Sequence, residues 1–125
     1  MNPWEWTDTV ASSGMSRRGS ALVISPDPRT GVALALFLQE MDLAVDLGHE
    51  AGYAARWMRH ARYDLAILDL PSTGDEAAAV FAQVRALSPE TRFLVLGDPD
   101  ARLRGAEVLP RPLQVNDLAR MLLPD

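Results

Sequence analysis

The segment Tyr63-Asp64-Leu65-Ala66-Ile67-Leu68-Asp69-Leu70 constrains this chain more than any other. An unbroken apolar run from Leu65 to Leu68 is the pattern of a strand covered on both faces, as in a parallel sheet held between helices. The run ends in a carboxylate, Asp69, at the carboxyl end of the strand, where such a sheet opens into a crevice and carries its ligands. Four further runs, Ala21–Ile24, Leu43–Leu47, Arg92–Leu96 and Val108–Leu109, alternate with amphipathic stretches. Together they predict an α/β domain with a doubly wound, five-stranded parallel sheet.

The helices are marked by their ends. Asp27 followed by Pro28 is a cap and a first-turn proline, and the helix they open runs to about Glu40. Ala51–Ala61 and Asp75–Leu87 read as the next two, the latter stopped by Ser88-Pro89. Asn116 is the expected cap of a last helix through about Leu123, before Pro124. Between the fourth and fifth strands only the ten residues Asp98 to Glu107 remain, with Pro99 and Gly105 among them. A crossover with its helix takes about ten to twelve residues at least, so one helical turn is the most that fits. The run Val32-Ala33-Leu34-Ala35-Leu36-Phe37-Leu38 is apolar all round and predicts a helix buried on more than one side, or one whose outer face docks a protein.

Composition narrows the function classes. A chain of 125 residues, 48% hydrophobic, is one domain's worth with enough apolar surface for one core. Its net charge of −5 argues against a nucleic-acid binder, which needs a basic stripe. With no cysteine, disulfides, thiolate metal sites and thiol nucleophiles are excluded, and a cytoplasmic location is the expectation. No apolar stretch approaches the roughly 20 residues of a membrane span. Residues 1–20 carry turn and linker types without periodicity and lack the pattern of an export signal, so they read as an extension to a domain spanning 21–125. Within the extension, Trp4 and Trp6 form either a docking arm or part of a loosely ordered tail, with Met15 as an alternative start.

His49 and His60 have no acidic partner at ligand spacing and read as surface residues. Ser12-Ser13, Ser25 and Ser72-Thr73 lie in no nucleophile context, and no glycine-rich cradle follows the first strand, so an enzyme is not expected. Arg56, Arg59 and Arg62 form a solvated face. Trp57 and Met58 are either core or contact residues.

The Asp69 strand, the Ala21-Leu22-Val23-Ile24-Ser25-Pro26-Asp27-Pro28 segment and the Val108-Leu109-Pro110-Arg111-Pro112 step together resemble the receiver domain of bacterial response regulators. The resemblance covers Ala21 to about Leu123. It implies a CheY-like (flavodoxin-like) fold, here with a shortened or missing fourth helix, and a site centred on Asp69. In the family that position takes a phosphoryl group from a histidine kinase, and two acidic residues after the first strand hold magnesium. Those two positions are Ser25 and Pro26 in this chain; the family hydroxyl after the fourth strand is Gly97, and the family lysine is Arg111. Proline has no side-chain oxygen, serine has only a neutral one, and arginine is a planar fork rather than a point charge. Asp27 lies one residue too late and is better used as the cap.

Only Asp69 keeps the family residue, so the expectation is a stand-alone pseudo-receiver that is not phosphorylated, binds no cofactor and acts through protein contacts in a signalling or localisation pathway. Self-association as a homodimer is part of it, as is a charge-assisted pairing of Arg111 with Asp69. Two alternatives remain. One is an active single-domain regulator phosphorylated on Asp69 with magnesium; the other is a small-molecule module in which Arg111 reads an anion.

Overall fold

Every residue of the strand Leu65–Asp69 is buried, so the two-sided cover that its apolar run demands is in place. The computed structural model describes residues 19–70, 74–97, 106–110 and 113–122. Its strands are β1 (Gly19–Ile24), β2 (Leu43–Gly48), β3 (Leu65–Asp69), β4 (Arg92–Gly97) and β5 (Ala106–Pro110). Its helices are α1 (Pro28–Glu40), α2 (Gly52–Met58), α3 (Gly74–Leu87) and α4 (Val115–Leu122). The strands form one sheet in the order β2-β1-β3-β4-β5, every neighbouring pair parallel.

Alternation along each strand divides the core in two. Ala21, Val23, Leu65, Ile67, Leu94 and Leu96 meet Leu34, Ala35 and Leu38 of α1 and Leu118 of α4 on one face. On the other, Leu22, Ile24, Ala66, Leu68, Phe93 and Val95 meet Ala54, Ala55 and Met58 of α2 and Phe81 and Val84 of α3. Phe81 and Phe93 pack edge to face, 5.3 Å between centroids.

Several element ends differ from the sequence expectation. β1 starts at Gly19, two residues before Ala21, because Ser20 is held from across the sheet: its N–H donates to Asp64 Oδ2 (2.9 Å) and its hydroxyl to the Arg62 carbonyl (2.7 Å). Gly19 has φ +147°, and a Cβ there would run into the Asp64 carboxylate, so only glycine fits. α2 ends at Met58 rather than Ala61. Asn116 lies inside α4 and is not its cap; the first turn closes onto the Gln114 carbonyl, which accepts from Asp117 N–H (3.0 Å). β5 is longer than expected, and residues 98–105, where the shortened helix was expected, lie outside the described residues, as do the first eighteen residues with Trp4, Trp6 and Met15.

The Asp27 cap forms as expected. Its carboxylate accepts from the Thr30 hydroxyl (2.7 Å) and from Arg29 N–H (3.2 Å), which in that order lower its pKa, with Pro28 in the first turn. The all-round burial expected of Val32–Leu38 is overturned. Gly31, Leu34, Ala35 and Leu38 face the sheet, whereas Val32 and Leu36 are 47% and 56% exposed. A helix packed on one side of a three-layer domain has only one face to bury, and nothing among the described residues covers the other.

Tyr63, just ahead of β3, is buried on the α2/α3 face. Its hydroxyl donates to Asp46 Oδ2 of β2 (2.6 Å), and its carbonyl accepts from the Thr91 hydroxyl (2.6 Å). Burial, then the hydrogen bond to the Asp46 carboxylate, push the phenol well above its ordinary pKa.

Two predictions follow from this packing. Ile67→Ala should cost about 2–5 kcal/mol in urea unfolding, whereas Leu36→Ser should change stability by no more than about 0.5 kcal/mol. The second concerns alkali. Unfolded tyrosine ionises near pH ~10 and folded Tyr63 only at higher pH, so its contribution is complete below about pH 10 and is lost as pH rises beyond it. Melting temperature should therefore fall on going from about pH 9 to about pH 11, and Tyr63→Phe should make the fall shallower.

Candidate functional site at the end of β3

Strand order reverses between β1 and β3, the switch point at which open parallel sheets place their ligands. The register there pairs Ile24 with Leu68, so the next residues, Ser25 and Asp69, lie side by side at the carboxyl end, Asp69 still paired with Leu96 of β4. Both follow the alternation of Val23 and Ile67, which face α1 and α4, and therefore point to the same side. Their side chains meet. Ser25 Oγ donates to Asp69 Oδ2 at 2.7 Å, with Ser25 0% and Asp69 2% exposed. Asp69 is thus not the solvated carboxylate that a strand-end aspartate could have been.

Ser25 holds the turn as well as the carboxylate. Its Oγ lies 3.2 Å from Asp27 N–H, which donates to it, and 3.1 Å from the Asp27 carbonyl. One proton cannot serve two acceptors fully, and the shorter contact, to Asp69 Oδ2, takes precedence. The Ser25 N–H donates to the Gly48 carbonyl (3.0 Å), and His49 Nδ1 is 3.3 Å from the Ser25 carbonyl. His49 and His60 are both exposed, as their sequence context suggests.

The remaining positions add little to hold an anion or a metal. Pro26 is exposed and brings no donor. Gly97 ends β4, one residue beyond the level of Asp69, and a Cβ there would meet no described atom within 4 Å. Its lack of a side chain therefore answers no packing need among the described residues. Arg111, and with it the expected Arg111–Asp69 pairing, lies outside the described residues.

A magnesium ion, implied by the receiver resemblance, asks for a near-octahedral set of hard oxygens with one or two carboxylates. The donors here fit it poorly. Asp69 Oδ2 is engaged by Ser25, Ser25 offers a neutral hydroxyl, Pro26 offers none, and both Asp27 oxygens are used in the cap. Among the described residues no group of three or more His, Cys, Asp or Glu side chains converges.

The Ser25–Asp69 bond could have been anticipated. Once β1 and β3 are neighbours in parallel register, equal distance past the last paired residues puts the two side chains together. In the sequence Ser25 stands where an acidic ligand is expected, and only the strand pairing brings its hydroxyl to Asp69 as a donor. Ser25→Ala removes that donor from a buried carboxylate and should destabilise the protein by about 1–3 kcal/mol in urea or thermal unfolding, whereas Pro26→Ala, at an exposed position, should stay within about 0.5 kcal/mol.

The chain matches no protein-family model and no curated protein sequence. Solved structures do resemble it. A response regulator from Burkholderia pseudomallei, whose structure contains a phosphorylated aspartic acid, a calcium ion and citrate, superposes with a TM-score of 0.70 at 23% identity, over 83% of this chain and 66% of that one. The receiver domain of a sensor histidine kinase from Pseudomonas aeruginosa, with magnesium in its active-site cleft, gives 0.68 at 17% identity, over 83% and 93%. A two-component response regulator from Clostridium difficile gives 0.73 at 18% identity, over 84% and 93%. The five-stranded parallel sheet, its strand order and these superpositions establish that this chain has the CheY-like fold of response-regulator receiver domains.

Proposed function

We propose that this protein is a receiver-like signalling domain that works by protein contact and is not switched by phosphorylation of Asp69. The observation that carries this reading is the buried hydrogen bond from Ser25 Oγ to Asp69 Oδ2. In this reading a neutral hydroxyl of the chain itself engages one of the two carboxylate oxygens, where phosphoryl transfer would need charged partners. Phosphoryl transfer builds charge on its equatorial oxygens, and catalysis consists mostly of positioning and neutralising that charge. Neither Pro26 nor Gly97 has a charged or hydroxyl side chain for that purpose, and the Ser25 hydroxyl is neutral and already donates to Asp69. The domain is read as a contact module rather than an enzyme, in a two-component or related pathway.

Contact needs a surface, and the exposed Val32 and Leu36 on α1 are compatible with one. Self-association belongs to the same reading. Among the described residues no helix is long and apolar enough to cross a membrane, which is compatible with a cytoplasmic place of work.

The test is incubation with magnesium and acetyl phosphate, followed by intact-mass spectrometry beside an Asp69→Ala control. No phosphorylated species is expected, and light scattering should give the same mass with and without the donor. An adduct that disappears in Asp69→Ala would overturn the reading in favour of an active single-domain regulator.

A further inference from the structure

Away from Asp69, the fold leaves a trough along its β2 edge. Strand β2 is the outermost on its side, so the outer side of its backbone has no strand partner among the described residues. Toward α2 it presents Ala44, Asp46 and Gly48, because Val45 and its alternates face α1. Two small residues and a carboxylate do not fill the space under a helix. The helix above is only seven residues long, and the chain turns away after it, with Ala61 N–H donating to the Trp57 carbonyl (2.9 Å). What remains is an open cavity of ≈ 390 Å³ lined by Asp46, Leu47, Trp57, His60, Ala61 and Tyr63.

The chemistry of the lining is selective. Asp46 is exposed, and its Oδ2 accepts the Tyr63 hydroxyl at 2.6 Å. That bond fixes the carboxylate and leaves Oδ1 without a described partner. Trp57 supplies an aromatic wall, held by stacking on Tyr53 (5.4 Å, 13° between planes) and by close approach to Gly48, where a Cβ would lie 3.2 Å from the indole. A carboxylate beside an aromatic ring attracts a guanidinium or ammonium group. Two arginines nearby are turned to other tasks: Arg56 lies over the Tyr53 ring, and Arg62 pairs with Glu90.

An exposed edge strand invites another strand, and its charge decides which. A second copy of β2 laid antiparallel would bring two Asp46 carboxylates close together, which is unfavourable. A strand carrying arginine or lysine meets no such penalty, and the chain's net charge of −5 favours a basic partner. We propose that the trough between the β2 edge and the end of α2 docks an extended segment of a basic partner protein, its cationic side chain seated between Asp46 and Trp57. This site is separate from Asp69, and it stands whether or not Asp69 accepts a phosphoryl group.

The experiment is an amide and indole NMR titration of the full chain with the peptide acetyl-Thr-Val-Arg-Val-Thr-amide. Parallel arms replace arginine by neutral citrulline or use methylguanidinium alone. The arginine peptide should shift the Trp57 indole and the Leu43–Gly48 amides. Binding should be at least roughly ten-fold weaker for the citrulline peptide and for Asp46→Asn, which keeps an oxygen for Tyr63. Equal binding of the arginine and citrulline peptides, shifts confined to other surfaces, or unchanged affinity in Asp46→Asn would overturn the proposal. Methylguanidinium binding as tightly as the peptide would overturn the strand-docking part by showing a site for a free cation. Should Asp46→Asn fail to fold, the citrulline arm decides alone.

Discussion

The structure depends on the burial of β1 and β3 from both sides. A strand in that position can use no polar residue along its length, so Ala21–Ile24 and Leu65–Leu68 are wholly apolar and fully covered. Polar chemistry is displaced to the strand ends, where the apolar runs stop. Ser25 and Asp69 follow those apolar runs directly; both remain buried, and Ser25 Oγ donates to Asp69 Oδ2. The site is therefore a by-product of the layer architecture and of the register between two strands.

The same constraint governs the opposite end and the edges. At the amino end of β1 the backbone is tied to the turn before β3 through Ser20, Arg62 and Asp64. At the far side of the sheet Arg92 of β4 spans Glu107 of β5 in a two-pronged ion pair (2.8 and 3.0 Å) and donates to the Met121 carbonyl at the end of α4 (2.7 Å). The Glu107 contact raises the Arg92 pKa further, although a pair this exposed adds little stability and serves mainly to orient the helix end. Among the described residues the β2 edge has no such cover, and its small and acidic residues leave the trough beside Trp57.

The receiver fold and the residues at its site point in different directions. Superposition on receiver domains that carry a phosphoryl group or magnesium concerns the backbone, and at 17–23% identity it establishes the fold alone. Fold does not carry function with it. The polar atoms at Ser25, Pro26 and Gly97 differ from what a metal needs, and that difference motivates the proposal of a contact domain.

The sequence by itself determined the class of fold, the five strands, the cap at Asp27 and the place of Asp69 at a strand end, because these depend on local periodicity and on capping chemistry that each segment carries alone. It was less informative about element ends: Ser20 joins β1 through partners more than forty residues away, α2 stops at Met58, and Asn116 lies inside α4. Whether an apolar helix is covered on one side or two was also not legible, since the pattern of Val32–Leu38 is the same in either case and only the number of neighbouring layers separates them. Tertiary structure alone decided that Ser25 meets Asp69 and that Tyr63 meets Asp46. Both contacts join segments distant in sequence, and the pairing of strands, a property of the whole sheet, brings them within a hydrogen bond of each other.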